Sequence, residues 1–248
     1  MKRIERRKLK ENDFVESVAR AREAIAERRS QVTVTAVALV VVIAVVGGFF
    51  GWRASRNSKA TDLLATALTV TEAPVVTPPP PAPGSPPPVQ QPGTFRTAHD
   101  RSEAALPRLL DVANKYPTTD AGLTARYRAA GVLADLGRYP EAEQRYQEVV
   151  NMAGSSSIYG RTARLGLGNT QLAQGKNDAA VTTLKELSTD TNSQLPLDGV
   201  LMQLGHACMQ AGKKDEATRA FTRVVDEFPQ SLYASEAKEK ILALKKTA

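Results

Sequence analysis

The sequence predicts an all-α protein: an N-terminal transmembrane helix followed by an α-solenoid of helix–turn–helix repeats. Three observations carry that prediction. Residues 30–52 contain no charged side chain. Ala105, Ala142, Ala180 and Ala217 succeed one another at intervals of 37, 38 and 37 residues, and the last three are each preceded five residues earlier by a glycine. Ten of the fifteen prolines fall between residues 73 and 93, between the apolar run and the repeats. The chain therefore divides into a basic tail (1–31), a span (32–52), a juxtamembrane helix (53–72), a proline-rich linker (73–93) and a repeat domain (94–248).

The tail carries ten Lys/Arg against six Asp/Glu, whereas residues 94–248 carry twenty against eighteen. The net charge of +7 thus comes mainly from the tail, and the repeat domain is nearly neutral. A nucleic-acid partner would want a concentrated basic face on the folded module, so that class is set aside. Within the tail, Phe14, Val18, Ala21 and Ile25 recur at helical spacing, with Asn12 or Asp13 as N-cap. Two readings stay open: an amphipathic helix lying on anionic lipid, or arginines that only set topology.

A hydrocarbon core of about 30 Å needs roughly 20 helical residues, which the uncharged run supplies. A buried core helix seldom continues so far without a polar face. A cleaved signal peptide is disfavoured by the thirty-residue segment before the run and by Trp52-Arg53-Ala54, a poor small-x-small cleavage site. Ten Lys/Arg before the span and three after it keep the tail cytoplasmic and export the rest. Trp52 suits the outer interface. Gly47 and Gly51 form a G-x-x-x-G pair that lets two helices approach, a route to a homodimer, although glycine is also simply common in membrane helices. Leu63, Leu64, Ala67 and Leu68 read as a helix continuing outward. The proline stretch can build neither helix nor ladder and reads as a polyproline II spacer, about 3.1 Å per residue and so roughly 60 Å long.

Each repeat has the same physical parts. Ala130, Gly168 and Gly205 are small where helix A meets its partner. Gly137, Gly175 and Gly212 permit the positive φ that ends helix A. Helix B begins near the lead alanine, and Leu109, Tyr146, Leu184 or Phe221, four residues later, fills the shared core. Pro117 and Pro229 stop the helix before the next unit. The first unit lacks an adjacent helix A, which the helix at 55–71 could supply, making the proline stretch an insertion inside that repeat.

This pattern resembles the tetratricopeptide repeat, over about Ala121 to Pro229, with Leu204, Gly205, Gly212, Ala217, Phe221, Val224 and Pro229 the best-matched unit. The period is longer than the family's roughly 34 residues, and no repeat carries the family's Trp. With Arg7-Lys8-Leu9-Lys10-Glu11-Asn12-Asp13-Phe14 before the span, the layout is similar to bacterial single-span inner-membrane proteins with an exported tetratricopeptide domain, including the ancillary translocon subunit. Glu227-Phe228-Pro229-Gln230-Ser231-Leu232-Tyr233-Ala234 is similar to envelope-assembly and cell-division coordinator proteins. The resemblance implies a scaffold in the bacterial inner membrane. Its partners would be proteins of the export or envelope-assembly machinery, or unfolded clients. It also implies a concave groove lined by helix A, at positions that map to Tyr127, Leu165, Asn169, Met202, His206 and Met209. Paired methionines and an aromatic suit adaptable contact with apolar peptide.

No P-loop, G-x-G-x-x-G, G-x-S-x-G or H-E-x-x-H occurs. One cysteine excludes an intrachain disulfide and any multi-Cys zinc site, and two histidines exclude a His-rich metal centre. Cys208 reads as a packed thiol. The expectation is a binding protein, not an enzyme, with no cofactor.

Overall fold

The computed structural model describes residues 29–78, 89–154, 157–190 and 194–246. The tail pattern Phe14–Ile25 and the proline run 79–88 lie outside the described residues. Two compact units divide at Ser55 and Arg56. Helix α1 (Arg29–Thr71) contributes to both.

In the first unit, α1 is long and apolar enough to cross a membrane, and none of its apolar window is buried. Val34 through Trp52 expose one large apolar side chain after another. Gly47 and Gly51 both face open space.

The second unit starts with Arg56 and contains the rest of α1. Next come α2 (Ala98–Lys115), α3 (Asp120–Asp135), α4 (Tyr139–Ala153), α5 (Ile158–Ala173), α6 (Asn177–Thr189), α7 (Leu197–Gln210), α8 (Lys214–Glu227) and α9 (Ala234–Lys246). From α2 onward each helix packs on its successor. No multi-residue strand occurs among the described residues.

The turns inside the repeats share one geometry. Gly137, Gly175 and Gly212 each have φ near 73°. In the first, the Gly137 N–H donates to the Ala134 carbonyl at 2.9 Å and the Arg138 N–H to Leu133 at 2.8 Å. Gly175/Lys176 and Gly212/Lys213 repeat that pair of bonds, which satisfies carbonyls the helix end would leave orphaned. At the other ends of helix A, the hydroxyls of Thr119 and Ser157 accept from the Gly122 and Gly160 amides. Between the helices of a repeat the small residues are obligatory. A Cβ on Gly205 would lie 2.4 Å from the Phe221 ring, and one on Gly168 would lie 2.8 Å from Leu184.

The missing helix A of the first repeat is residues 56–71. Ala67 is buried with Leu106, Leu109 and Val112 of α2. Arg56 donates from Nη2 to the Lys115 carbonyl at 3.1 Å and covers the Tyr116 ring at 5.6 Å. The proline segment therefore interrupts the first repeat, as the helix at 55–71 predicts. Its ends are tied together: the Val76 N–H donates to Phe95 O at 2.8 Å and the Phe95 N–H to Pro74 O at 3.0 Å.

Candidate functional site

Helices α3, α5 and α7 are the first helices of successive repeats, and they approach one another across the repeats more closely than α4, α6 and α8 do. A stack whose first helices converge curves toward them, so these three line the inner face.

Tyr127 on α3 is half-buried, and its ring meets Tyr146 of α4 at 5.8 Å, edge to face at 62°. Burial pushes the Tyr127 phenol above the ordinary tyrosine value, against a smaller opposing effect of Arg128. Tyr146 is raised further, first by burial and then by Tyr127 and Asp135. Its ring occupies the space beside Gly166 of α5, where a Cβ would stand 2.5 Å away. On α5, Asn169 is exposed and Leu165 packs partly against the core of the last two repeats. Thr124, Tyr127, Gly131, Thr162, Leu165 and Asn169 are uncharged positions of these two helices, with Arg128 and Asp135 close enough to act on the two tyrosines.

The third helix of this face is different, and one predicted residue is withdrawn. Met202 is 2% exposed and sits in the same buried cluster as Ala237 and Leu244 of α9. It is core, and no partner reaches it in this fold. His206 is half-exposed, with Nε2 3.3 Å from Glu236 Oε1 and its ring edge-on to Phe221 at 5.6 Å. Met209 packs partly against the same cluster. Helix α9 stands where the first helix of another repeat would, and it covers α7. The signal for it was in the sequence: Ala234, Ala237, Ile241 and Leu244 recur at spacings of 3, 4 and 3. Without a glycine turn or a succeeding helix B, that segment did not register as part of the repeat. Tyr146 was also missed as an inner-face residue, because it reaches that face from α4.

Cys208 is 1% exposed on the core side of α7, and burial pushes its thiol up, away from thiolate chemistry. Among the described residues, no three His, Cys, Asp or Glu side chains come together as metal ligands.

The family model of the tetratricopeptide repeat-like domain matches residues 30–246. A sequence comparison with curated proteins gives no match. Among solved structures, the crystal structure of MamA superposes with a TM-score of 0.50 at 16% identity, covering 60% of this chain and 79% of that one. A tetratricopeptide repeat protein from Parabacteroides merdae also reaches a TM-score of 0.50, at 13% identity over 60% of this chain and 55% of the other. Both show the repeat fold.

Proposed function

Because the chain belongs to the tetratricopeptide repeat-like domain family, whose repeats serve as protein–protein interaction scaffolds, we propose that it is such a scaffold anchored in a membrane by residues 32–52. The tail remains cytoplasmic and the repeats are exported, in a bacterial envelope, where they hold export or envelope-assembly proteins or their clients. The observation that carries the anchor is an apolar stretch of helix, none of which is buried in the protein. Exposed apolar surface on that scale is unfavourable in water and favourable in lipid. Protease added to spheroplasts should digest the chain beyond residue 53 and spare the tail. Digestion of the tail alone would overturn the topology.

The aromatic and amide side chains of the inner face fit an extended or helical peptide segment of a partner, contacted through Tyr127, Leu165 and Asn169 and, at its end, His206 and Met209. Crosslinking from Asn169 in intact membranes tests this. A discrete partner set supports an assembly role, and many unfolded clients support a chaperone role. A second reading, a structural subunit that pairs through its span, is favoured by the open space at Gly47 and Gly51. Crosslinking between copies at Gly51→Cys would support it, and the absence of such crosslinks would remove it.

A further inference from the structure

The solenoid has two long edges with different chemistry. The edge made by the turns inside repeats carries Arg138, Glu141, Lys176, Asp178, Lys213 and Asp215. It is stitched by Lys213–Asp178 at 2.6 Å, Lys176–Glu143 at 2.6 Å and the Asn177 amide donating to Gln210 O at 2.9 Å. This is an ordinary solvated edge.

The edge made by the turns between repeats is continuous as well. Arg56 bonds the α2–α3 turn at Lys115 O, and the Thr124 and Tyr159 hydroxyls join the starts of α3 and α5 at 3.4 Å. Arg161 Nε holds Asp190 Oδ2 at 2.7 Å, joining the start of α5 to the end of α6. The Ser231 hydroxyl donates to Asp198 Oδ2 at 2.6 Å, joining the start of α7 to the α8–α9 turn. These polar groups satisfy one another. Apolar side chains also stand out into solvent here: Met152 is 45% exposed, Ile158 43%, Tyr159 38%, Leu232 98% and Tyr233 42%. A cavity of about 530 Å³ opens on the same edge, lined by Pro117, Leu123, Met152 and Tyr159 among others. Asp120 is an exposed acid on its rim. Singly exposed apolar residues need no explanation, but five along one edge do; the other edge exposes Val75, Val76 and Val89 in the turn of the first repeat alone among its turns.

Arg56 belongs to this edge, and it is the fourth residue after Trp52. Chain length alone keeps it within about 14 Å of that tryptophan. We propose that the edge formed by the turns between repeats lies on a lipid surface, with Ile158, Tyr159, Leu232 and Tyr233 seated among the headgroups. The proposal rests on the reading that residues 32–52 span a membrane. Tyrosine rings favour the membrane–water interface, and charged groups at the helix ends of this edge are paired with one another, as in Lys115–Asp111, Arg161–Asp190 and Arg223–Glu227. The span already confines the unit to the surface, so each side chain needs only weak affinity for lipid. Docked by this edge, the helices rise away from the bilayer and the inner face stays open to partners.

The test uses the full chain in phosphatidylcholine vesicles containing one-quarter phosphatidylglycerol. A nitrobenzoxadiazole label is placed singly at Ile158→Cys, Leu232→Cys, Lys176→Cys, Lys214→Cys or Ile43→Cys, in a Cys208→Ala background. Phosphatidylcholine with a doxyl group near the headgroup should quench labels at 158 and 232 roughly threefold more than those at 176 and 214, on the charged edge. Equal quenching on both edges overturns the proposal. So does shielding of 158 and 232 from aqueous iodide without lipid quenching, which would mark a protein partner instead. The label at 43 reports the anchor separately, by quenching from doxyl groups deep in the chains. If 43 is quenched and 158 is not, the edge proposal alone fails. If 43 is not quenched, the anchor reading fails, and the edge proposal with it.

Discussion

Helices α5 and α7 are successive copies of one repeat position, yet their inner faces meet different fates. Leu165 and Asn169 of α5 border an open face, whereas at the same positions of α7 Met202 is sealed in the core and His206 is paired with Glu236 of α9. A repeat position therefore does not define a surface. The element packed against it decides whether it becomes core or groove.

The largest test of that contrast is Met202→Ala. As a truncation in a closed core it should cost about 2–5 kcal/mol, read from the urea midpoint, and it should affect partner capture only in proportion to the protein lost. A midpoint shift near zero would show that α9 does not seal α7. Gly205→Ala ranks second. Its Cβ would meet the Phe221 ring at 2.4 Å, and overpacking of this kind costs about 1–3 kcal/mol. On the open face, Gly131→Ala meets only the Tyr146 hydroxyl at 3.6 Å and should stabilise the helix by about 0.4–1 kcal/mol. If both glycine variants moved stability the same way, the distinction between sealed and open positions would not hold.

Alkaline titration probes the open side through Tyr146. Its phenol is raised in the fold by burial, from an ordinary value near 10. The unfolded chain therefore gives up that proton first, so stability is intact below pH 10 and falls as pH rises beyond it. Tyr146→Phe should flatten this decline in a denaturant series, and Tyr127→Phe should flatten it less. A smaller effect in stability is expected at the His206–Glu236 contact between α7 and α9. The His206 and Glu236 side chains are 31% and 47% exposed, so a double-mutant cycle should give a coupling under about 1 kcal/mol. Asn169→Ala should likewise leave the midpoint within about 0.5 kcal/mol while weakening crosslinking to partners.

The repeat itself was legible residue by residue. The intervals from Ala105 to Ala217 located the units, and Gly137, Gly175 and Gly212 adopt the positive φ that their spacing predicted. Ala130, Gly168 and Gly205 stand where helix meets helix. The predicted groove positions separate once packed: Asn169 is exposed and Tyr127 and Leu165 are half-buried, while Met202 is closed in the core. The composition of the proline segment describes its local backbone and says nothing of where its flanks Val76 and Phe95 are held.

Class, period, turns and the apolar helix could all be read from the order of residues alone. These depend on backbone dihedral preferences and on helical periodicity, both of which act within a few residues along the chain. Packing was needed to establish that residues 56–71 complete the first repeat, that Val76 and Phe95 bond to close its turn, that α9 seals Met202, and that Ile158, Tyr159, Leu232 and Tyr233 stand out along the turns between repeats. Each joins residues with no local relation in sequence, and their pairing depends on which apolar surfaces remain to be covered once the helices have formed.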